Sequence, residues 1–166
     1  FLCVPHEGKS DLERSIPRKL LAWNEPDTRF VIVRDNDNGD CYRLKEHLRA
    51  LCIQGGHPEA LVRLPCQELE AWYLGDLNAL ADAYACPRLA RLTGKAKYRN
   101  PDAIPKPAAE IEKLLPEFQK QTAARRMGAR LSENGNRSRS FQVFLAGVYR
   151  LATEMGYGPK ATGVDG

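Results

Sequence analysis

The chain has 166 residues, of which 43% are hydrophobic and 28% charged, and a net charge of +4 at pH 7. That length suits one domain around one core. No apolar run reaches the roughly 18 residues a membrane-spanning helix needs, so a soluble protein is expected. Five cysteines, Cys3, Cys41, Cys52, Cys66 and Cys86, are an odd number without a Cys-x-x-Cys pair. This speaks against a disulfide framework or a zinc site and for reduced thiols in a cytoplasmic protein.

The charge is unevenly distributed. Residues 1–84 hold 10 Lys or Arg against 14 Asp or Glu, a balance of −4, and residues 85–166 hold 15 against 7, a balance of +8. Acids suit a metal site and bases a phosphate backbone, so the division fits a protein that brings an ion to nucleic acid. A solvated surface can carry the same asymmetry.

In chain order, residues 1–4 form a short apolar run closed by Pro5 and read as a strand. Ser10 can cap a helix whose apolar positions Leu12, Ile16, Leu20 and Leu21 lie near helical spacing, with Pro17 in an early turn or bending it. The β-branched run at residues 30–33 reads as a second buried strand. A second amphipathic helix follows from Tyr42 to Cys52 and stops before Gly55 and Gly56, and residues 60–64 make a third strand. Alternating strands and helices with short links predict a parallel sheet covered on both faces. Beyond Pro65 the pattern turns helical, with pieces at 67–74 and 76–84 broken at Gly75. An irregular stretch at 88–106 leads to helices at about 108–128 and 139–155, and a glycine-rich loose tail follows Gly156. The expected organisation is an α/β core over residues 1–84 and a basic helical extension over 85–166, packed as one domain.

Ligand sites of parallel α/β sheets gather beyond the carboxyl ends of the strands. Glu7 follows the first expected strand, and Asp35 and Asp37 follow the second. In an extended stretch two acids two residues apart point the same way, and Asn38 and Gly39 permit the turn after them. Three clustered carboxylates repel unless a cation neutralises them, and hard oxygen ligands favour Mg²⁺ or Mn²⁺. An acid-rich turn can also simply be solvated. Three other motifs fail on detail. Gly8, Lys9 and Ser10 are similar to the end of a phosphate-binding P-loop, but its first glycine would fall at Cys3. An EF-hand loop from Asp35 to Glu46 would have Gly39 one place early and a strand where a helix is required. A phosphoaspartate loop needs Thr or Val where Gly39 stands.

Glu7 before Gly8, followed by the Asp35-x-Asp37 pair after a later strand, resembles the Toprim domain of topoisomerases, primases and overcoming-lysogenization-defect nucleases. The chain is more similar still to a Toprim-related family, domain-of-unknown-function family 4276. That likeness runs through His6, Glu7, Gly8, Lys9, Ser10 and Asp11, the Asp35 loop, residues 65–74 with Glu68, Glu70, Trp72 and Leu74, and the late Arg139, Ser140 and Phe141. It implies a Toprim-like core with a parallel sheet flanked by helices, plus a mainly helical C-terminal part. Asp40 departs by one place from a strict DxDxD, so the loop supplies two acids rather than three.

Glu70 is a candidate further ligand or general base, and Glu68 and Asp76 are weaker ones; acids also favour a helix start through its dipole. Lys95, Lys97, Arg125, Arg126, Arg130, Arg137 and Arg139 can follow a phosphate backbone, or form a solvated face. His6 adjoins the cluster and can shuttle protons, whereas His47 and His57 read as surface residues. The expected function is Mg²⁺-dependent phosphodiester hydrolysis of DNA or RNA. Asp35 and Asp37 hold the metal, Glu7 completes the site or takes a proton from the attacking water, and Lys9 with the later arginines offsets transition-state charge. The family's association with AAA-type and ABC-type ATPases in prokaryotic, phage-defence-like loci implies an alternative, an effector subunit activated by an ATPase partner. A small-molecule phosphotransfer enzyme is a third.

Overall fold

Helix α1, Lys9–Leu21, opens the computed structural model, which describes residues 2–157. Gly8 precedes it at φ 125°, a conformation glycine adopts without strain. No side chain caps this helix, so Ser10 does not play the expected part. Pro17 lies inside the helix, which nonetheless continues to Leu21 and buries Ile16 and Leu20.

Strand β1, Val31–Val33, helix α2, Cys41–Gln54, and strand β2, Leu61–Arg63, form the β-α-β unit that the sequence pattern predicts. The strands pair in parallel, with Val31 opposite Leu61 and Val33 opposite Arg63. Asp40 starts α2 by accepting the backbone N–H groups of Tyr42 and Arg43 at 2.9 and 3.2 Å, which places it as a helix cap. Gly55 ends the helix and Gly56 turns the chain at φ 80°.

The strand expected over residues 1–4 does not form among the described residues. Leu2 and Val4 are 74% and 43% exposed, and β1 pairs with β2 alone. A run left outside the core gains no burial to offset the ordering of its backbone.

Helices α3, Glu70–Gly75, and α4, Leu77–Ala83, come next. Gly75 is the last residue of α3, and the break falls at Asp76, whose side chain caps α4 through Ala79 N–H at 3.0 Å. The irregular stretch holds three short 3₁₀ turns, Ala90–Gly94, Ala96–Tyr98 and Pro101–Ala103. The single helix expected at 108–128 is two, α5, Pro107–Leu114, and α6, Lys120–Gly128. Pro116 has no N–H to give and drives the residue before it out of the helical region, and Leu115 sits at φ −136°, ψ 91°. Helix α7, Arg139–Glu154, closes the described chain. Most of the tail expected to be loose, residues 158–166, lies outside the described residues.

Two apolar clusters hold these elements. Ile16, Leu20, Leu48, Cys52 and Val62 join α1 and α2 to one face of the sheet. Leu74, Leu80, Leu89, Ile111, Met127 and Phe141 form the larger cluster of the helical part, with Val33 of β1 packed against it. The result is a helix-rich mixed fold around a small parallel sheet. Among the described residues no helix is long and apolar enough to cross a membrane.

Candidate active site

Past the ends of β1 and β2 the two chain segments stay side by side. Arg34 N–H donates to Arg63 O at 3.2 Å, Asn36 N–H to Pro65 O at 3.2 Å and Asp37 N–H to Gln67 O at 2.9 Å. This pairing carries Asp35 to the start of α3, where its Oδ1 accepts Leu69 N–H at 2.9 Å. Glu70, the next residue, is only 4% exposed. The carboxylate that follows β1 and the one that opens α3 are therefore neighbours, the first half-buried and the second buried. Burial, the Glu70 charge and the Asp37 charge push the Asp35 carboxyl up to about 6, against the pull of Leu69 N–H. Burial likewise raises Glu70 above the ordinary carboxylate range.

A cation reaches this pair from the helical part. Lys120, the first residue of α6, places Nζ 3.4 Å from Glu68 Oε1 and 3.6 Å from Glu70 Oε1. Burial pulls its pKa down, but Glu70, Glu68 and Asp35 together hold it above the usual lysine value. Glu68 also accepts Ala108 N–H at 3.0 Å, so it ties the start of α5 to the start of α6.

Asp37 and Glu7 behave differently from Asp35. Asp37 is in the left-handed region at φ 49° and Asn38 comes after it at φ 61°, so the loop is not the extended stretch that would aim both aspartates alike. While Asp35 turns inward to Leu69, Asp37 is half exposed and faces Lys9 Nζ at 3.6 Å. That contact sets the start of α1 beside the loop. Glu7, two residues ahead of Lys9, is exposed and gives its N–H to Asp11 Oδ2 at 3.3 Å. Among the described residues no group of three or more His, Cys, Asp or Glu side chains stands assembled to hold a metal ion.

Two side-chain oxygens in the paired loops, Asn36 Oδ1 and Gln67 Oε1, are buried without a hydrogen-bond partner. Gln67 is held at φ 66°, an uncommon conformation for such a residue. Like the carboxylates of Asp35 and Glu70, they are hard oxygen donors. Mg²⁺ is commonly held by one or two carboxylates, waters and substrate phosphates, so the residues present fit that ion.

Other candidates have structural duties. Asp76 caps α4 and accepts Ser132 N–H at 2.9 Å. His6 Nδ1 lies 3.0 Å from Asp11 Oδ2 and 3.1 Å from Ser15 Oγ, which fixes its ring against α1. His47 faces Glu13, and His57 faces Glu59. Trp72 donates its indole N–H to Ser140 Oγ at 2.9 Å, and Ser140 N–H donates to Asp102 Oδ2 at 2.8 Å. This network locks α3 to the start of α7.

Several of the basic residues are engaged within the protein. Lys97 pairs with the buried Glu110, which also accepts Tyr98 O–H at 2.7 Å. Arg126 lies over the Tyr84 ring at 4.8 Å, Arg130 meets Asp82 at 3.3 Å, and Arg137 donates to Thr93 O at 2.7 Å. Lys95, Arg125 and Arg139 are exposed.

Sequence reasoning missed Lys120. It lies 50 positions from Glu70, and nothing in the pattern around it sets it apart from the other lysines.

The family described as domain of unknown function (DUF4276) matches residues 8–148. The match takes in Asp35, Asp37, Glu68, Glu70 and Lys120, and it begins one residue after Glu7. No curated protein and no solved structure matches the chain.

Proposed function

Because the chain belongs to the DUF4276 family, we propose that it is a Toprim-like, Mg²⁺-dependent phosphodiester hydrolase acting on nucleic acid. The observation that carries this reading is the Asp35 and Glu70 pair, one carboxylate just past β1 and the other at the start of α3. The 2.9 Å bond from Leu69 N–H to Asp35 holds them as neighbours, with burial and the Glu70 charge pushing Asp35 up to about 6. Carboxylates held together at such cost are what a divalent cation relieves.

Asp35 and Glu70 would hold the ion. Asp37 and Glu7 are further oxygen donors, since Lys9 brings the start of α1 to the Asp37 loop. When bound, the ion would polarise the phosphate and supply a water of lowered pKa. The chain's own groups do the rest. Lys120 beside Glu70 and Lys9 beside Asp37 present ammonium groups that offset charge on the phosphate. Protonation of Asp35 would remove a donor and so weaken the site. The exposed Lys95, Arg125 and Arg139 would follow the substrate backbone.

The test is incubation with single- and double-stranded DNA and RNA in Mg²⁺, Mn²⁺ or EDTA, beside Asp35→Asn, Glu70→Gln and Glu7→Gln. Metal-dependent cleavage that falls about a hundredfold or more in the first two supports the reading. Equal cleavage by Asp35→Asn would sink it. Absence of cleavage together with tight binding to a partner ATPase would replace it with the effector-subunit reading.

A further inference from the structure

The opposite end of the sheet carries a basic cavity. It measures about 300 Å³ and is lined by Arg29, Arg49, Arg63 and Arg150, with Glu59 and Glu154 as its acids. Arg29 stands two residues before β1, Pro58 to Ala60 lead into β2, and Arg150 comes from α7. The cavity thus runs from the amino end of β2 along the strand to Arg63, its last residue, whereas the acidic pair lies beyond the carboxyl ends of the strands.

Its construction is specific. Arg63 is anchored by two backbone carbonyls, with Nε donating to Val143 O at 3.1 Å and Nη1 to Val62 O at 2.9 Å. Helix α7 comes this close because residue 147 is glycine. A Cβ there would stand 2.5 Å from Arg63 Nη2 and 2.8 Å from Leu61 Cδ2. Arg63 is therefore a fixed charge at the base. Arg150 and Arg49 face it closely enough that, with burial as the larger cause, they lower its pKa. Like charges gathered around a fixed one repel, and an anion between them relieves the repulsion.

The acids leave part of this charge uncompensated. Glu59 is engaged by His57 Nδ1 at 2.8 Å, and Glu154 meets one nitrogen of Arg150 at 3.3 Å. Arg49 also meets Glu46 at 3.2 Å, so four arginines against Glu46, Glu59 and Glu154 leave one positive charge in excess. Each guanidinium has five N–H donors in a planar fork that matches phosphate oxygens, so Arg29, Arg49 and Arg150 retain donors beyond the contacts they make. A concave volume of this size suits a small molecule, while a nucleic-acid backbone runs along an open groove.

We propose that the cavity bounded by Arg29, Arg49, Arg63 and Arg150 binds the polyphosphate group of a small anion, either inorganic polyphosphate or the triphosphate of a nucleotide. The site does not depend on the chemistry of the acidic end.

Titration calorimetry at low salt with EDTA present tests it, with inorganic tripolyphosphate, ATP and adenosine as probes and a 20-nucleotide single strand as competitor. Tripolyphosphate is expected to bind one to one and adenosine not to bind. Tighter binding of ATP than of tripolyphosphate assigns the nucleotide source, and the reverse assigns the inorganic one. Arg49→Gln and Arg150→Gln, both at exposed positions, are each expected to weaken binding on the order of tenfold, and Asp35→Asn is expected to leave it unchanged. No saturable binding, binding within twofold of wild type in both arginine variants, or binding of the single strand that tripolyphosphate cannot displace would each overturn the proposal.

Discussion

The two ends of the β1–β2 pair are built on opposite electrostatic plans. At the carboxyl ends, half-buried Asp35 and buried Glu70 repel, and a lysine from a distant helix reaches Glu70 at 3.6 Å. At the amino end of β2, three arginines gather around the fixed Arg63 guanidinium, and the nearby glutamates offset part of their charge. A strand pair of three residues each sets both plans, because parallel pairing gathers the incoming loops at one end of the sheet and the outgoing loops at the other. The acidic end is partly neutralised from within. The basic end is partly neutralised from within as well, but keeps an excess of positive charge.

The widest separation between the ends is expected from Glu70→Gln. It should lower metal-dependent cleavage about a hundredfold or more while tripolyphosphate affinity stays within twofold of wild type. A parallel loss of both would mean that the ends are not independent.

Gly147→Val tests the basic end through packing. The added side chain must displace Arg63 or Leu61, so a loss of about 1–3 kcal/mol in chemical denaturation is expected, with tripolyphosphate binding weakened. Unchanged stability would show that α7 does not need its close approach to β2.

Asp35→Asn should raise stability at pH 8, measured in EDTA, by about 1–2 kcal/mol. The folded carboxyl is pushed up to about 6 from 3.8, so the folded chain holds the proton more tightly than the unfolded one. Ionised Asp35 therefore costs stability above pH 6, and the cost fades as the pH falls through 6 toward 3.8. The advantage of the variant should shrink over the same range, and a pH-independent difference would refute the origin assigned to it.

Lys120→Met leaves Glu68 and Glu70 without their cation. Its side chain is 56% exposed, so the expected loss is modest, about 1 kcal/mol at pH 8. The loss should be smaller at pH 5, where the raised carboxyl of Glu70 is more readily protonated. Equal losses at both values would assign the effect to packing by the lysine stem.

Much of the β-α-β unit was legible. The β-branched run before Asp35 and the paired glycines after α2 are strong local signals. The run at residues 1–4 misled because composition cannot report whether a neighbouring strand is present to receive it. Within the site, Asp35 was legible from its place after β1, and Glu70 as a second acid after β2. The alignment of Asp37 with Asp35 was not, because it depends on a left-handed φ of 49° in a loop where Asn and Asp tolerate several conformations.

The order of residues determined the end of the sheet at which acids collect, since strand period and loop position depend on neighbours in the chain. Which carboxylate is buried, which lysine meets it and which arginines converge were decided by tertiary packing. Lys120 lies 50 positions from Glu70, and Arg150 lies 87 positions from Arg63. Charges interact through space, and only the docking of α6 beside α3 and of α7 on β2 brings them within range.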